Sequence, residues 1–153
     1  PEVSEVQPSV YVGGQHKLKG LKAMRALGIT TVVNLREEAD DAERGVAMDH
    51  YLWLPTTDDT PPTLENLKRG TAFIAQHIAT GQGIYIHCAA GVGRAPTMAA
   101  AYLVSTGMSP QQAWDTIRHT RPFIRPTPPQ INVVHDFAQA LREERQTKAT
   151  RKS

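Results

Sequence analysis

The chain has 153 residues and a mass of 16.8 kDa, which is enough for one domain with a sizeable hydrophobic core. Its hydrophobic fraction of 40% and charged fraction of 21% are typical of globular proteins and exclude collagen-like and wholly disordered chains. The net charge of +2 does not indicate nucleic-acid binding, and no apolar run reaches the ~18 residues that span a bilayer. We therefore expect a globular domain with no nucleic-acid partner and no membrane span.

The termini and the cysteine content lead to further expectations. We interpret residues 1–153 as a single domain, with a short polar N-terminal lead and a basic tail from about residue 142 that is solvated and frayed. The first residues lack the basic and apolar stretches of an export signal. The single cysteine, Cys88, excludes an internal disulfide and is typical of a reducing compartment. We therefore expect a cytoplasmic protein, and we expect it to be a monomer.

Short strands and helices alternate along the chain. Apolar, β-branched segments predict buried strands at residues 10–12, 29–35, 51–54 and 84–86, the third of which ends before Pro55. Apolar residues at helical spacing predict helices at residues 18–27, 64–78, 96–104, 110–120 and 131–141. The charged stretch 36–45 is interpreted as an exposed loop or a frayed helical turn. This alternation predicts an α/β fold with a central, mostly parallel sheet of four to five strands flanked by helices.

The segment IHCAAGVGRAPT, residues 86–97, joins the last predicted strand to a buried helix. Parallel sheets place their ligand crevices at such junctions. Gly91 and Gly93 let the backbone curl so that successive N–H groups point inward, and the helix N-terminus adds its positive end. Arg94 supplies a planar fork of donors for two phosphate oxygens. We therefore predict a cradle for a tetrahedral dianion, built from Ala89, Ala90, Gly91, Val92, Gly93 and Arg94.

Cys88 stands at the mouth of this predicted cradle. The surrounding donors, the helix terminus and Arg94 all favour a thiolate, so we expect the sulfur to be an ionised nucleophile near neutral pH. For Cys88 alone, a buried and unreactive cysteine is the alternative, because free cysteines are commonly buried. A nucleotide-binding loop is disfavoured, because the segment contains no lysine and lacks the third glycine of a dinucleotide-binding motif.

His87-Cys88 through Arg94, with five residues between cysteine and arginine, resembles the signature loop of the cysteine-dependent protein tyrosine phosphatases. The short chain is similar to the dual-specificity branch of that superfamily. The sequence GVGRAP, residues 91–96, resembles the loop of the regenerating-liver and plant glucan phosphatases, whereas residues 63–104, 124–126 and 130 resemble the mitochondrial phosphatidylglycerophosphate phosphatase. The resemblance implies a phosphatase domain without metal or other cofactor, in which Cys88 is the nucleophile and Arg94 clamps the phosphate.

Phosphoryl transfer to sulfur needs an acid that protonates the leaving oxygen, on a loop upstream of the nucleophile. Asp58 and Asp59 follow a predicted strand and precede Pro61 and Pro62. The resemblance to dual-specificity enzymes favours Asp58, because two residues separate it from the proline pair. Asp59 stays the alternative, and either aspartate is also suited to capping a turn.

Ala95 departs from the resemblance, since most members of the superfamily have Ser or Thr directly after the arginine. Because that hydroxyl helps the thiolate to leave, we predict slow turnover of the phosphoenzyme and a faster rate for Ala95→Ser. Thr97 carries another hydroxyl, two residues further along the chain.

Other polar residues near the predicted site have their own interpretations. The resemblance implies that His87 holds the loop. Arg36 is either a solvated charge or a contact for a second acidic group of the substrate, and Arg121 and Arg125 either line the pocket rim or are solvated. Gln130 lies where dual-specificity relatives have a loop that buttresses the phosphate site. The remaining histidines show no metal-ligand spacing and are read as surface or core residues: His16, His50, His77, His119 and His135.

These features predict a phosphatase that hydrolyses phosphomonoesters through a cysteinyl-phosphate intermediate. The expected partners are phosphotyrosine and phosphoserine or phosphothreonine proteins, or a small phosphomonoester. A phosphorylated lipid or sugar is the alternative substrate by the same mechanism. Another alternative is a phosphate-binding module with slow turnover, for which Ala95 is the argument. A sulfurtransferase ranks last, because it gives no reason for an acid on a loop.

Overall fold

Five segments form one sheet in the computed structural model, which describes residues 3–152. The sheet order is β1-β2-β5-β3-β4; β1 is antiparallel to β2, and every other neighbouring pair is parallel. This mixed five-stranded sheet confirms the predicted α/β fold. The strands are β1 (Val3–Gln7), β2 (Val10–Gly13), β3 (Ile29–Arg36), β4 (His50–Thr56) and β5 (Gly83–His87).

Five α-helices and one 3₁₀ turn, Leu18–Gly20, connect and cover the strands. Local sequence explains two of the helix starts. The Thr63 side chain accepts a hydrogen bond from the backbone N–H of Asn66, and Ser109 forms a capping box with Gln112. The helices are α1 (Leu21–Ala26), α2 (Leu64–Ala79), α3 (Arg94–Ser105), α4 (Pro110–Thr120) and α5 (Pro128–Lys152).

The two faces of the sheet are covered unequally. The short helix α1 packs on one face, where Met24 joins a small cluster with Ile29, Val32 and Tyr85. The larger core on the other face takes its side chains from α2, α3, α4 and α5. Helix α3 is buried from Arg94 to Val104, as expected for a helix that is apolar on every side. Strand β5 is buried along its whole length between β2 and β3, so the chain leaves the centre of the sheet at Cys88.

Three elements differ from the sequence-based expectations. The polar N-terminal lead contains strand β1, whose Ser4 and Val6 point into the protein while Glu5 is exposed. Strand β4 continues through Pro55 to Thr56 and does not stop at the proline. A proline is tolerated there because β4 is an edge strand that pairs only with β3.

The basic tail is the third difference. It continues α5 as a helix to Lys152 and is not frayed. An ion pair of 2.6 Å between Lys68 and Glu144 and a hydrogen bond from Arg145 to the Ser105 carbonyl tie it to α2 and α3. No helix among the described residues has the length and apolarity needed to cross a bilayer.

Candidate active site

Residues 88–94, here called the anion loop, leave the end of β5 and enter the first turn of α3. Cys88 is buried at the start of this loop. The backbone N–H of Ala95, in the first turn of α3, points at the sulfur, with a distance of 3.4 Å from N to Sγ. A helix N-terminus stabilises negative charge through such an amide and through its dipole. The sulfur therefore lies where the fold favours an anion.

Four consecutive carbonyl groups of the anion loop accept hydrogen bonds from outside the loop. In a planar trans peptide the N–H group points opposite to the preceding carbonyl, so the N–H groups of residues 90–93 face the inside of the loop. Within the described part of the chain, no N–H group of residues 89–93 donates to a protein acceptor. The outside bonds are Gln15 N to Ala89 O (2.9 Å), Arg121 Nη2 to Ala90 O (3.1 Å), Arg121 Nε to Gly91 O (2.8 Å) and Arg125 N to Val92 O (2.7 Å).

Glycine is required where the end of β2 and the anion loop touch. Gly91 has a φ of +71°, and a Cβ atom there would lie 2.5 Å from the carbonyl carbon of Gly13 and 2.6 Å from Nη2 of Arg121. A Cβ atom at Gly14 would lie 2.7 Å from the Ala89 carbonyl oxygen. These close approaches explain the glycines at positions 14 and 91 and fix the curvature of the loop.

Arg94 is 1% exposed and is held at both ends of its guanidinium group. Nη1 lies 2.8 Å from one carboxylate oxygen of Glu38 and 2.8 Å from the carbonyl of Thr56, and Nη2 lies 3.0 Å from the other Glu38 oxygen. Its Nε is buried and donates to no acceptor among residues 3–152. The Nε edge of the fork is therefore the donor left for a phosphate oxygen.

Arg94 and Glu38 each shift the pKa of the other toward its charged form. Burial alone lowers the pKa of Arg94, but hydrogen bonding to Glu38 and the charges of Cys88, Glu38 and Asp58 raise it above its ordinary value. The hydrogen bonds from Arg94 lower the pKa of Glu38 to about 2, with a smaller contribution from Arg36. Arg94 and Glu38 thus form a charged pair throughout the physiological pH range.

Sequence reasoning missed Glu38. Of the two readings of Arg36, the solvated charge is wrong, and contact with a second acidic group of the substrate stays a prediction. The Arg36 side chain is only 17% exposed; its Nε lies 3.2 Å from Glu38 and its Nη1 donates to Gln15 at 3.0 Å. Asn34 shapes the turn that presents Glu38, since it accepts from the Arg36 N–H and donates to the Ala39 carbonyl. In the sequence, Glu38 belongs to an acidic run that looks like any solvated loop, so no signal set it apart.

The two candidate acids are placed differently. Asp58 lies 3.4 Å from Nη2 of Arg94, and its side chain is 70% exposed. It accepts a hydrogen bond from the backbone N–H of Asp59, which has a φ of +62°. Thr127 donates its hydroxyl to the Asp59 carbonyl at 3.4 Å. The carboxylate of Asp58 is thus the one brought to the guanidinium, and its catalytic role stays a prediction.

Gln130 connects the turn that contains Asp58 and Asp59, here called the acid-bearing turn, to the anion loop. It is buried, donates to the carbonyl of Thr60 at 3.1 Å, and accepts from the backbone N–H of Thr127 at 2.9 Å. A Cβ atom at Gly93 would lie 3.1 Å from the Gln130 amide oxygen, so the amide packs directly on the loop. This placement agrees with the buttressing position that the resemblance implied.

His87 belongs to a buried group with Asp41 and His16 that sequence spacing did not predict. Its Nε2 contacts the Asp41 carboxylate and its Nδ1 lies 3.0 Å from the Cys88 carbonyl. Both ring nitrogens therefore face oxygen atoms of the protein. Burial alone raises the pKa of Asp41, but the hydrogen bond and charge of His87 bring it below its ordinary value. This pairing fixes the residue that precedes the nucleophile.

The third member, His16, is buried edge-on against His87, with ring centroids 4.9 Å apart. Burial lowers its pKa, and its Nε2 lies 2.6 Å from the Val46 carbonyl. His16 is thus a core residue, one of the two readings that the sequence offered. One ligand atom each from His16, Asp41 and His87 lie within 4.8 Å of one another, a grouping that sequence spacing did not indicate. Residues 71 positions apart gave no such spacing in the sequence.

Two further side chains take positions that the sequence left open. Arg121 is buried below the anion loop and lies over the Phe123 ring at 4.5 Å, so it is neither at the pocket rim nor solvated. Arg125 is exposed and reaches the loop through its backbone N–H. The Thr97 hydroxyl donates to the Gly93 carbonyl at 2.7 Å and is therefore committed away from the sulfur.

Comparison with solved structures supports this description of the fold. The crystal structure of PTPMT1 in complex with PI(5)P superposes with a TM-score of 0.86 and 28% sequence identity, covering 93% of this chain and 97% of that one. The crystal structure of Tk-PTP in the active form gives a TM-score of 0.81 and 25% identity, covering 91% of this chain and 97% of that one.

Curated relatives match over shorter stretches. The human phosphatidylglycerophosphatase and protein-tyrosine phosphatase 1 is 41% identical over 88 residues, which cover 56% of this chain and 44% of the relative. The human dual specificity protein phosphatase 12 is 32% identical over 126 residues, covering 79% of this chain and 37% of the relative. The chain therefore spans about two fifths of the length of these relatives.

The family comparison agrees with the resemblance that the sequence of the anion loop indicated. Residues 10–140 match the family described as "Dual specificity phosphatase, catalytic domain". This range includes all five residues of β5, the whole anion loop and the acid-bearing turn. The chain therefore belongs to the dual specificity phosphatase family, within the cysteine-dependent protein tyrosine phosphatase superfamily.

Proposed function

We propose that the chain hydrolyses phosphomonoesters through a cysteinyl-phosphate intermediate. One observation carries the proposal. The Cys88 sulfur, the inward N–H groups of residues 90–93 and the unpaired Nε of Arg94 belong to one short loop, and its carbonyl groups 89–92 are bound on the outer side. Such a site binds a tetrahedral dianion and presents it to a nucleophile.

In the first step the Cys88 thiolate attacks phosphorus. An S–P bond forms, the P–O bond to the substrate breaks, and Asp58 gives its proton to the leaving oxygen. The loop N–H groups and Arg94 hold the phosphoryl oxygens, whose charge is spread in the transition state. The 3.4 Å separation between Asp58 and Arg94 supports a carboxyl group at the edge of this site.

In the second step water attacks the phosphorus of the cysteinyl phosphate. Asp58, now ionised, takes the proton of the water, the S–P bond breaks, and the sulfur leaves as a thiolate. The Ala95 N–H at 3.4 Å from the sulfur supports that leaving group. Because no hydroxyl side chain follows Arg94 and the Thr97 hydroxyl is bound to Gly93, we expect this step to limit turnover.

We propose a phosphomonoester carried by a phospholipid as the substrate. The 41% identity over 88 residues with the human phosphatidylglycerophosphatase and protein-tyrosine phosphatase 1, whose name includes both activities, and the likeness to PTPMT1 in complex with PI(5)P support this class. Phosphotyrosine and phosphoserine or phosphothreonine proteins are the second candidate, supported by the similarity to dual specificity protein phosphatase 12 over 79% of the chain. A cytoplasmic location and a monomeric state remain predictions from the sequence.

The test of the chemistry is hydrolysis of para-nitrophenyl phosphate in the presence of a chelator. Wild type is expected to turn over, Cys88→Ser to lose all activity, and Asp58→Asn to lose far more than the matched variant Asp59→Asn. Phosphate binding without turnover in wild type and Cys88→Ser alike would identify a binding module and overturn the proposal. A panel of phosphatidylglycerophosphate, phosphoinositides, phosphopeptides and phosphoglucans then ranks the substrate classes by kcat/KM.

A further inference from the structure

Residues 17–27 place exposed lysines beside exposed leucines. We call the side chains of Lys17, Leu18, Lys19, Lys22 and Leu27 the basic face. Leu18 is 70% exposed and stands between two exposed lysines, and Leu27 is 49% exposed. Met24 in the same segment is stabilised by burial against the sheet, whereas a leucine exposed to water gains no such free energy. An exposed leucine between lysines is the pattern of a surface that meets an apolar phase with an anionic boundary.

The charge of this face is uncompensated. No aspartate or glutamate occurs between residues 6 and 36 of the chain. Among the residues that the structure describes, Lys17, Lys19 and Lys22 form no ion pair. The fourth cation of the segment, Arg25, is 3.5 Å from Asp49.

The neighbouring loop 37–49 is acidic, but most of its carboxylates are engaged. Asp41 is buried against His87, Glu38 is bound by Arg94, and Asp49 lies against Arg25. Asp40 accepts hydrogen bonds from the Tyr51 hydroxyl and the Ala42 N–H. Glu37 and Glu43 are exposed, as are the paired Glu38 and Asp49. Among the described residues, three lysines of the face thus form no ion pair, against two carboxylates of the loop beside it that are likewise unpaired, Glu37 and Glu43.

The basic face adjoins the anion loop. Gln15 donates its backbone N–H to the Ala89 carbonyl at 2.9 Å, and Lys17 follows only two residues later, at most about 7 Å further along the chain. A pocket of about 300 Å³, lined by Gln15, Lys17, Lys19 and Gly20, lies at the start of the basic face. A surface bound by these lysines is thus brought next to the phosphate site.

We propose that the basic face docks on an anionic phospholipid bilayer and holds the anion loop at its surface. Leu18 enters the interface, and Lys17, Lys19 and Lys22 lie among the lipid phosphates. This inference rests on the proposed function, because it explains how a lipid phosphomonoester reaches Cys88. A bilayer is favoured over an acidic peptide because Leu18 projects into solvent, where a soft apolar phase surrounds it, whereas a peptide would need a groove for it.

The test measures partitioning of the protein onto vesicles of phosphatidylcholine, with and without phosphatidylglycerol. Wild type is expected to bind the anionic vesicles and to dissociate in high salt. Lys17→Gln with Lys19→Gln should weaken binding roughly 30-fold, since each cation near an anionic surface contributes about fivefold. Leu18→Ser should weaken it about tenfold, and Leu18→Phe should retain it. Lys148→Gln with Arg151→Gln makes the same change of charge on α5, across the sheet, and should have no effect.

Hydrolysis of para-nitrophenyl phosphate in solution separates this inference from the proposed function. All four variants are expected to keep that activity, while the Lys17/Lys19 and Leu18→Ser variants lose activity on a phospholipid substrate in vesicles. Equal binding of wild type to neutral and anionic vesicles, or equal losses for the α5 control, would overturn the docking surface while the enzyme activity stands. If the Lys17/Lys19 variant has a raised KM for acidic phosphopeptides but binds vesicles as wild type does, the face binds peptides and the proposal is overturned.

Discussion

Replacing Glu38 with alanine removes the carboxylate that binds both terminal nitrogens of Arg94, at 2.8 and 3.0 Å. The guanidinium then keeps only the Thr56 carbonyl at 2.8 Å and the exposed Asp58 at 3.4 Å. Its Nε edge is no longer aimed rigidly at the phosphate position, because the aliphatic torsions that orient the planar guanidinium are less restrained. We expect a lower kcat and a higher KM.

The magnitude follows from the hydrogen bonds that are lost. A hydrogen bond to a charged group contributes about 1.5–3 kcal/mol. Glu38 is 38% exposed, so water replaces part of its contact and the pair is screened. We therefore expect a loss of about 2 kcal/mol in kcat/KM, which is roughly 30-fold. Glu38→Gln keeps one acceptor and should lose less.

The assay is steady-state hydrolysis of para-nitrophenyl phosphate from pH 5 to pH 8. Because Arg94 lowers the pKa of Glu38 to about 2, the carboxylate stays ionised over this range, and the ratio of wild type to Glu38→Ala should be constant. Glu37→Ala is the matched control, since Glu37 is exposed and adjacent. A Glu38→Ala enzyme within twofold of the control, or a ratio that changes with pH, would refute the positioning of Arg94 by Glu38.

Three other substitutions have definite expected outcomes. Ala95→Ser places a hydroxyl beside the sulfur and should raise the steady-state rate about tenfold relative to the burst rate, which reports formation of the phosphoenzyme. If both rates are unchanged, slow hydrolysis of the phosphoenzyme is excluded. Gly91→Ala should cost about 1–3 kcal/mol in urea unfolding and most of the activity, whereas Gly20→Ala, which meets no atom within 4 Å, should cost neither. Burial lowers the pKa of His16 in the folded state below its unfolded value of about 6.5. The unfolded chain therefore binds a proton at this histidine more readily than the folded chain, and the free energy of unfolding falls as the pH drops below about 6.5. Thermal unfolding of His16→Gln should lose that dependence; an identical pH profile would contradict it.

The anion loop was predictable because its chemistry is local. Cys88, Gly91 and Arg94 lie within seven consecutive residues between a buried strand and a buried helix. The nucleophile, the flexible glycine and the phosphate-binding arginine can therefore each be recognised from the local sequence. The +71° φ of Gly91 is the conformation that glycine permits and the predicted curl requires. The alternation of apolar segments likewise gave four of the strands and the order of the helices.

The supporting residues were not predictable because the sheet brings them together across long sequence distances. Asn34 pairs with His87 in neighbouring parallel strands, and the loop after β3 therefore delivers Glu38 to Arg94 and Asp41 to His87. In the sequence both carboxylates belong to one acidic run with no periodicity. Arg121 likewise lies 30 residues from Gly91, and no local pattern indicates that it binds the carbonyl groups below the loop.

Strand β1 and the extension of helix α5 beyond residue 141 were missed for a different physical reason. Strand β1 buries only alternate side chains at the edge of the sheet, so its composition is polar. Helix α5 extends past its apolar stretch through contacts such as the Lys68–Glu144 ion pair, which depend on where α2 lies. Hydrophobic periodicity detects burial, and both elements are stabilised by pairing or by charge at the surface.

Trapping of the phosphoenzyme tests the assignment of Cys88 most directly. Para-nitrophenolate leaves without needing a strong acid, so Asp58→Asn should form the cysteinyl phosphate and hydrolyse it slowly. Rapid quenching followed by mass spectrometry of the peptide containing Cys88 is expected to find one phosphoryl group per chain on that sulfur, and none in Cys88→Ser. Turnover with an unmodified Cys88, or a phosphoryl group on any other residue, would contradict nucleophilic catalysis by the anion loop.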